Sequence, residues 1–120
     1  MTMIEKVAFT MYPVRDMKRA RAFYEDTLGI VVSKAGDVWT EYDLPGGGCL
    51  ALFQTTDLTP SSSSGGIAFE VADLDGLGAQ LERDGVTFKV KMIHSPVCRM
   101  TVIVDSEGNS IVLHQLNVKN

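Results

Sequence analysis

The sequence predicts an α+β fold of two βαβββ modules in tandem, with curved mixed sheets and a helix outside each. Three observations predict it. Val14-Arg15-Asp16-Met17 returns 57 positions later as Val71-Ala72-Asp73-Leu74. Each copy has a strand-like apolar stretch upstream and a helical pattern downstream. Between the copies lies Thr59-Pro60-Ser61-Ser62-Ser63-Ser64-Gly65-Gly66, small and polar as linkers are. One domain is therefore expected over 1–120, with modules at about 4–56 and 66–117 and a linker at about 57–65.

The elements follow in order. Phe9–Pro13 reads as the first strand. Asp16 is placed to cap a helix, its carboxylate accepting from an orphan N–H. Met17, Ala20, Phe23/Tyr24 and Leu28 then keep helical spacing, and Gly29 supplies the left-handed stop. Lys18, Arg19 and Arg21 come early in this helix and Glu25 and Asp26 late, against the macrodipole. Either an anion site or a solvated surface held by core contacts explains that order. Strands are expected at Gly29–Lys34, Val38–Leu44 and Cys49–Gln54, with turns at Ala35–Asp37 and Pro45–Gly48.

In the second copy Gly66–Glu70 is the first strand, Asp73 the cap, Leu74, Leu77 and Leu81 the apolar stripe, and Gly85 the stop. Gly76 and Gly78 lie inside this helix and cost about 1 kcal/mol each relative to alanine, so packing must hold it. Thr87–Ile93, Arg99–Val104 and Ser110–Leu116 complete the module, the last two joined through Asp105–Asn109. The serine-glycine linker has neither a Walker lysine nor a following helix, which argues against a phosphate loop.

Composition narrows the function. The chain has 120 residues, 45% hydrophobic and 22% charged, enough to form a core. Its net charge of −4 argues against a general nucleic-acid partner. No apolar run is long enough for a membrane span. Met1–Lys6 has no signal-peptide core and there are only two cysteines, Cys49 and Cys98, so a reduced, cytoplasmic setting is expected. A βαβββ unit covers one face of its sheet with its helix and leaves the other open. Two such units set edge to edge would form an apolar trough suited to a small molecule.

Two segments resemble the vicinal oxygen chelate superfamily, which includes glyoxalase I, extradiol dioxygenases and bleomycin- and fosfomycin-resistance proteins. Phe23-Tyr24-Glu25-Asp26-Thr27-Leu28-Gly29-Ile30 is similar to its helix-end signature. Asp105-Ser106-Glu107-Gly108-Asn109-Ser110-Ile111-Val112-Leu113 resembles its final hairpin, with Ser106 in place of the usual proline. The likeness covers residues about 4–117. It implies the tandem fold and four strand positions that hold a divalent ion in metal-dependent members. Carried across, these are Phe9, Ala51 (or Leu50 or Leu52), Gly66 and Val112. None can coordinate a metal, so no metal and no cofactor are expected.

Strand alternation gives the trough its expected lining. Phe9, Met11 and Pro13, then Cys49, Ala51 and Phe53, face it from the first module. Gly66, Ala68, Glu70, Val112 and His114 face it from the second, while Ile67, Phe69, Val71, Ile111 and Leu113 face the core. Glu70 is a candidate general acid or base if desolvated, or else a strand-end carboxylate in water or paired with a neighbouring arginine. His114 is a ligand contact or a surface histidine. His94 lies beside Ser95-Pro96, at the mouth of the trough or in a plain loop. Arg99 either clamps an anionic ligand or forms a surface ion pair. Trp39 and Tyr42 stack on a planar ligand or pack in the core. Met11, Met92 and Met100 are flexible lining or core filler, and a Cys98–His94 thiol–imidazole pair is disfavoured by Pro96 between them.

Two functions follow. One is a metal-free binder of a small, partly apolar or planar organic molecule. The other is an enzyme of the lyase, isomerase or dioxygenase type, with displaced metal ligands such as Glu70 and His114, or with Glu70 as base. A module that only binds another protein is a third, plainer reading. A homodimer is expected, because similar small chains of the superfamily pair and a two-fold contact covers open strand edges.

Overall fold

The computed structural model describes residues 3–63 and 66–117. Ser64 and Gly65 of the expected linker, and Met1 and Thr2, lie outside the described residues. The chain forms two compact units, Met1–Thr59 and Pro60–Asn120.

In the first unit, β1 (Thr10–Val14) leads into α1 (Met17–Ala22), which runs on as one turn of π-helix, Phe23–Thr27. β2 (Trp39–Asp43) and β3 (Cys49–Gln54) follow. The sheet order is β1-β3-β2, with β1 parallel and β2 antiparallel to β3. Asp16 caps α1 through Arg19 N–H at 3.1 Å. The Gln54 side-chain oxygen takes a further orphan donor, Met17 N–H, at 2.7 Å and ties the helix to the end of β3. Leu28 N–H reaches Phe23 C=O across the wider turn, and Gly29 at φ 75° ends it. Tyr12, Val14, Met17, Ala20, Tyr24, Tyr42, Leu50 and Leu52 are the buried core under the helix.

The second unit repeats the plan more regularly. β4 (Ala68–Glu70), α2 (Leu74–Arg83), β5 (Thr87–His94), β6 (Cys98–Val104) and β7 (Ser110–Leu116) form a sheet in the order β4-β7-β6-β5, with α2 packed on β6 and β7. Asp73 caps α2 through Gly76 N–H at 3.0 Å, and the Gln115 side-chain oxygen accepts Leu74 N–H at 2.8 Å, as Gln54 does for α1. A Cβ on residue 76 would collide with the capping carboxylate, so glycine there has a reason. Gly85 at φ 78° is the counterpart of Gly29. Leu74, Leu81, Ile103, Ile111 and Leu113 form the core.

One expected strand is corrected. Gly29–Lys34 does not form a strand, and only the single bridge Lys34↔Glu41 remains of it. The cause is local. Ser33 and Lys34 N–H both bond the same carbonyl, that of Glu41, which stalls the register. The Ser33 hydroxyl then takes Asp43 N–H at 2.7 Å, in place of a ladder carbonyl. Buried Thr40 donates to Gly36 C=O at 3.0 Å and folds the chain inward just beyond.

Candidate functional site

Each sheet has one face under its helix and one open face. On the open face of the first unit, register places Met11, Ala51 and Glu41 side by side, with Pro13, Phe53 and Trp39 in the next row. Met11 and Pro13 are half-buried while their neighbours Tyr12 and Val14 are core, as the alternation predicts. Phe9 stands just before β1 and meets Trp39 edge-on, with centroids 5.1 Å apart at 82°. Trp39 and Phe53 lie 5.7 Å apart at 57°. The Trp39 indole N–H donates to Glu41 at 2.7 Å. Neither Trp39 nor Phe53 is fully buried, and Phe9 is 44% exposed. Ala51, between Met11 and Glu41, is fully buried.

Tyr42 alternates to the other side of β2 and is core, one of the two fates open to it. Its hydroxyl donates to Glu25 at 2.9 Å, and Arg21 grips the same carboxylate at 2.7 Å. The Arg21 hydrogen bond holds the Glu25 carboxyl below the usual range. Burial, with the bonded Glu25 carboxylate added, pushes the Tyr42 phenol well above its ordinary value. A cleft of about 570 Å³ opens on this helix side, between α1, the π turn and Gly36–Asp37; Lys18 and Arg21, weighed as an anion site, line it together with Glu25 and Asp26, and none of the expected trough residues does.

On the open face of the second unit, Ala68, Val112 and Val102 share one row and Glu70, His114 and Met100 the next. His114 Nδ1 and a Glu70 carboxylate oxygen are 2.5 Å apart, and the other oxygen accepts Leu116 N–H at 3.0 Å. These two bonds, the histidine's first, hold the Glu70 carboxyl below the usual range. Glu70 is therefore a charged, anchored group that orients His114, and not a desolvated acid. Gly66 is exposed just ahead of β4.

Arg99 and His94 do not join this face. Arg99 bonds Asp75 of α2 at 2.9 Å and Gln115 at 3.2 Å, and so belongs to the helix side. His94 ends β5 as the register partner of Arg99 and shares that side. Met92 lines a cleft against α2, whereas Met11 and Met100 share rows with Ala51 and His114. The Cys98 thiol contacts the Ser95 hydroxyl at 3.2 Å.

The donor set does not fit the metal that metal-dependent members hold. Phe9 and Ala51 in one unit, and Gly66 and Val112 in the other, offer no ligating atom. Among the described residues no three His, Cys, Asp or Glu converge on a metal position. Sequence reading missed Glu41, although it stands two positions from Trp39 on one expected strand and so on the same face, and the paired caps Gln54 and Gln115. The caps did leave a trace, since each glutamine stands near the end of the last strand of its copy.

The sequence profile of the Glyoxalase/Bleomycin resistance protein/Dioxygenase superfamily matches residues 6–113. Among solved structures, TnmS3, an antibiotic binding protein from Streptomyces sp. CB03234, is similar at 26% identity and TM-score 0.78, over 98% of this chain and 100% of that one. A superfamily member from Sphaerobacter thermophilus has 26% identity and TM-score 0.78, over 95% and 99% of the two chains. A glyoxalase family protein from Bacillus anthracis has 17% identity and TM-score 0.80, over 98% and 99%, a likeness of fold. A comparison with curated protein sequences gave no match.

Proposed function

Because the chain belongs to the Glyoxalase/Bleomycin resistance protein/Dioxygenase superfamily, we propose that it sequesters a small, planar, partly apolar organic molecule and does so without a metal ion. The observation that carries this reading is the Phe9–Trp39–Phe53 cluster on the open face of β1-β3-β2. Such rings offer a large apolar area with few rotatable bonds, so a flat ligand stacks on them with little ordering cost. Met11 beside them adapts to irregular edges. The likeness to an antibiotic binding protein supports a ligand of this kind. The proposal extends to one domain acting as a cytoplasmic homodimer. Among the described residues no helix is long and apolar enough to cross a membrane.

A specific pair favours a second reading, a metal-free enzyme. Glu70 fixes Nδ1 of His114, which leaves Nε2 as the basic nitrogen on the open face of the second unit. In that reading His114 is the base and Glu70 its positioning residue.

The test is direct. Protein dialysed against EDTA is expected to bind acridine, followed by quenching of Trp39, the one tryptophan in the chain. Phe9→Ala is expected to weaken binding about tenfold, equivalent to about 1.4 kcal/mol. Native mass spectrometry is expected to show a dimer without stoichiometric metal. One ion per chain, or binding lost with EDTA, overturns the metal-free reading.

A further inference from the structure

Glu41 adds chemistry that an apolar platform does not need. Its carboxylate lies beside the Trp39 ring and accepts the indole N–H with one oxygen. No partner of the other oxygen occurs among the described residues. Asp43 follows two positions along the same strand and therefore on the same face, with Cys49 as its register partner. The Cys49 thiol registers both acids: burial pushes its pKa up, and the charges of Glu41 and Asp43 push it further. The cation nearest in register is Lys34, the bridge partner of Glu41, and no ion pair joins the two among the described residues. Tryptophan presents the aromatic face most attractive to positive charge. A carboxylate at its edge acts in the same direction.

We infer that the ligand of this face is a planar aromatic cation, stacked on Trp39 with its charge held by Glu41. This rests on the proposed binding role of the Phe9–Trp39–Phe53 face and names the class of molecule it takes. Residues of both kinds are required. The rings bind flat apolar surface whatever its charge, and Glu41 selects among flat molecules by sign.

The experiment uses two probes of nearly the same shape, neutral acridine and the permanently charged 10-methylacridinium, at pH 7.5, with Trp39 quenching as the readout. The cation is expected to bind at least about tenfold more tightly than acridine. Glu41→Gln, whose amide oxygen can still accept the indole N–H, is expected to weaken the cation and so erase that ratio. Raising salt from about 50 to 500 mM is expected to weaken only the cation, which checks the charge term without any variant. Equal binding of the two probes, or a ratio that survives Glu41→Gln, overturns the inference and leaves the binding role standing. Binding of neither probe overturns the binding role itself, and the inference with it.

Discussion

The two units share one plan and differ at the first strand after the helix. In the second unit the eight-residue β5 pairs with β6 along its length, with two irregularities. In the first, the matching segment is released after a single bridge. Both units use a buried threonine to hold a carbonyl near this segment. Thr101 donates to Lys91 C=O, within β5, at 3.0 Å. Thr40 donates to Gly36 C=O, within a turn, also at 3.0 Å. The same hydrogen bond thus preserves a strand in one copy and ends it in the other, according to whether the captured residue lies in the ladder or past it. Propensity does not decide the outcome, since Ile30, Val31 and Val32 are as β-prone as anything in β5. A register partner decides it.

The largest expected effect follows from that contrast. Amide exchange is expected to be faster at Val31 and Val32 than at Thr101–Ile103 by about two orders of magnitude or more, as for a released segment against a paired core strand. Comparable protection in a residue-resolved exchange experiment would show that the released segment pairs in solution.

The helices give the next contrast. At Gly78 an added Cβ meets nothing within 4 Å, whereas at Gly76 it collides with the Asp73 cap. Gly78→Ala is expected to stabilise the protein by about 0.5–1 kcal/mol, whereas in Gly76→Ala the loss of the cap, about 1 kcal/mol, is expected to cancel that gain. A urea midpoint raised only in Gly78→Ala checks the pair, and equal rises in both would break the account of the cap.

The smallest effect concerns the open face of the second unit. The carboxyl of Glu70 is held low by His114, so its contribution to stability is present above the ordinary carboxylate range and lost as pH falls through the lowered value. Glu70→Gln is expected to lower Tm slightly at neutral pH, with the deficit closing in acid below about pH 4. A deficit independent of pH would assign Glu70 a packing role.

Much of the fold was legible because its signals are local. Asp16 and Asp73 are caps, and Gly29 and Gly85 are left-handed stops. Alternation correctly separated Val112 and His114 from Ile111 and Leu113. The site was less legible because its determinants are distant in sequence. Glu25 meets Tyr42 across 17 positions and Glu70 meets His114 across 44. Nothing near Arg99 in the sequence announces Asp75, 24 positions away, as its partner. The π turn at Phe23–Thr27 likewise keeps a helical apolar spacing and differs only in which carbonyl each amide finds.

β5 has one further consequence. It is the outermost strand of its sheet, and its ladder is broken twice, between Phe88 and Val90 and between Val90 and Ile93. Exposed Lys89 and Lys91 stand along it, the latter joined to Glu82 and lying 5.5 Å from the Phe88 ring centre. A crooked, cationic border of this kind is a poor template for the flat stacking of identical strands that builds fibrils. The sheet thus carries in β5 a border that guards it against polymerisation through this edge.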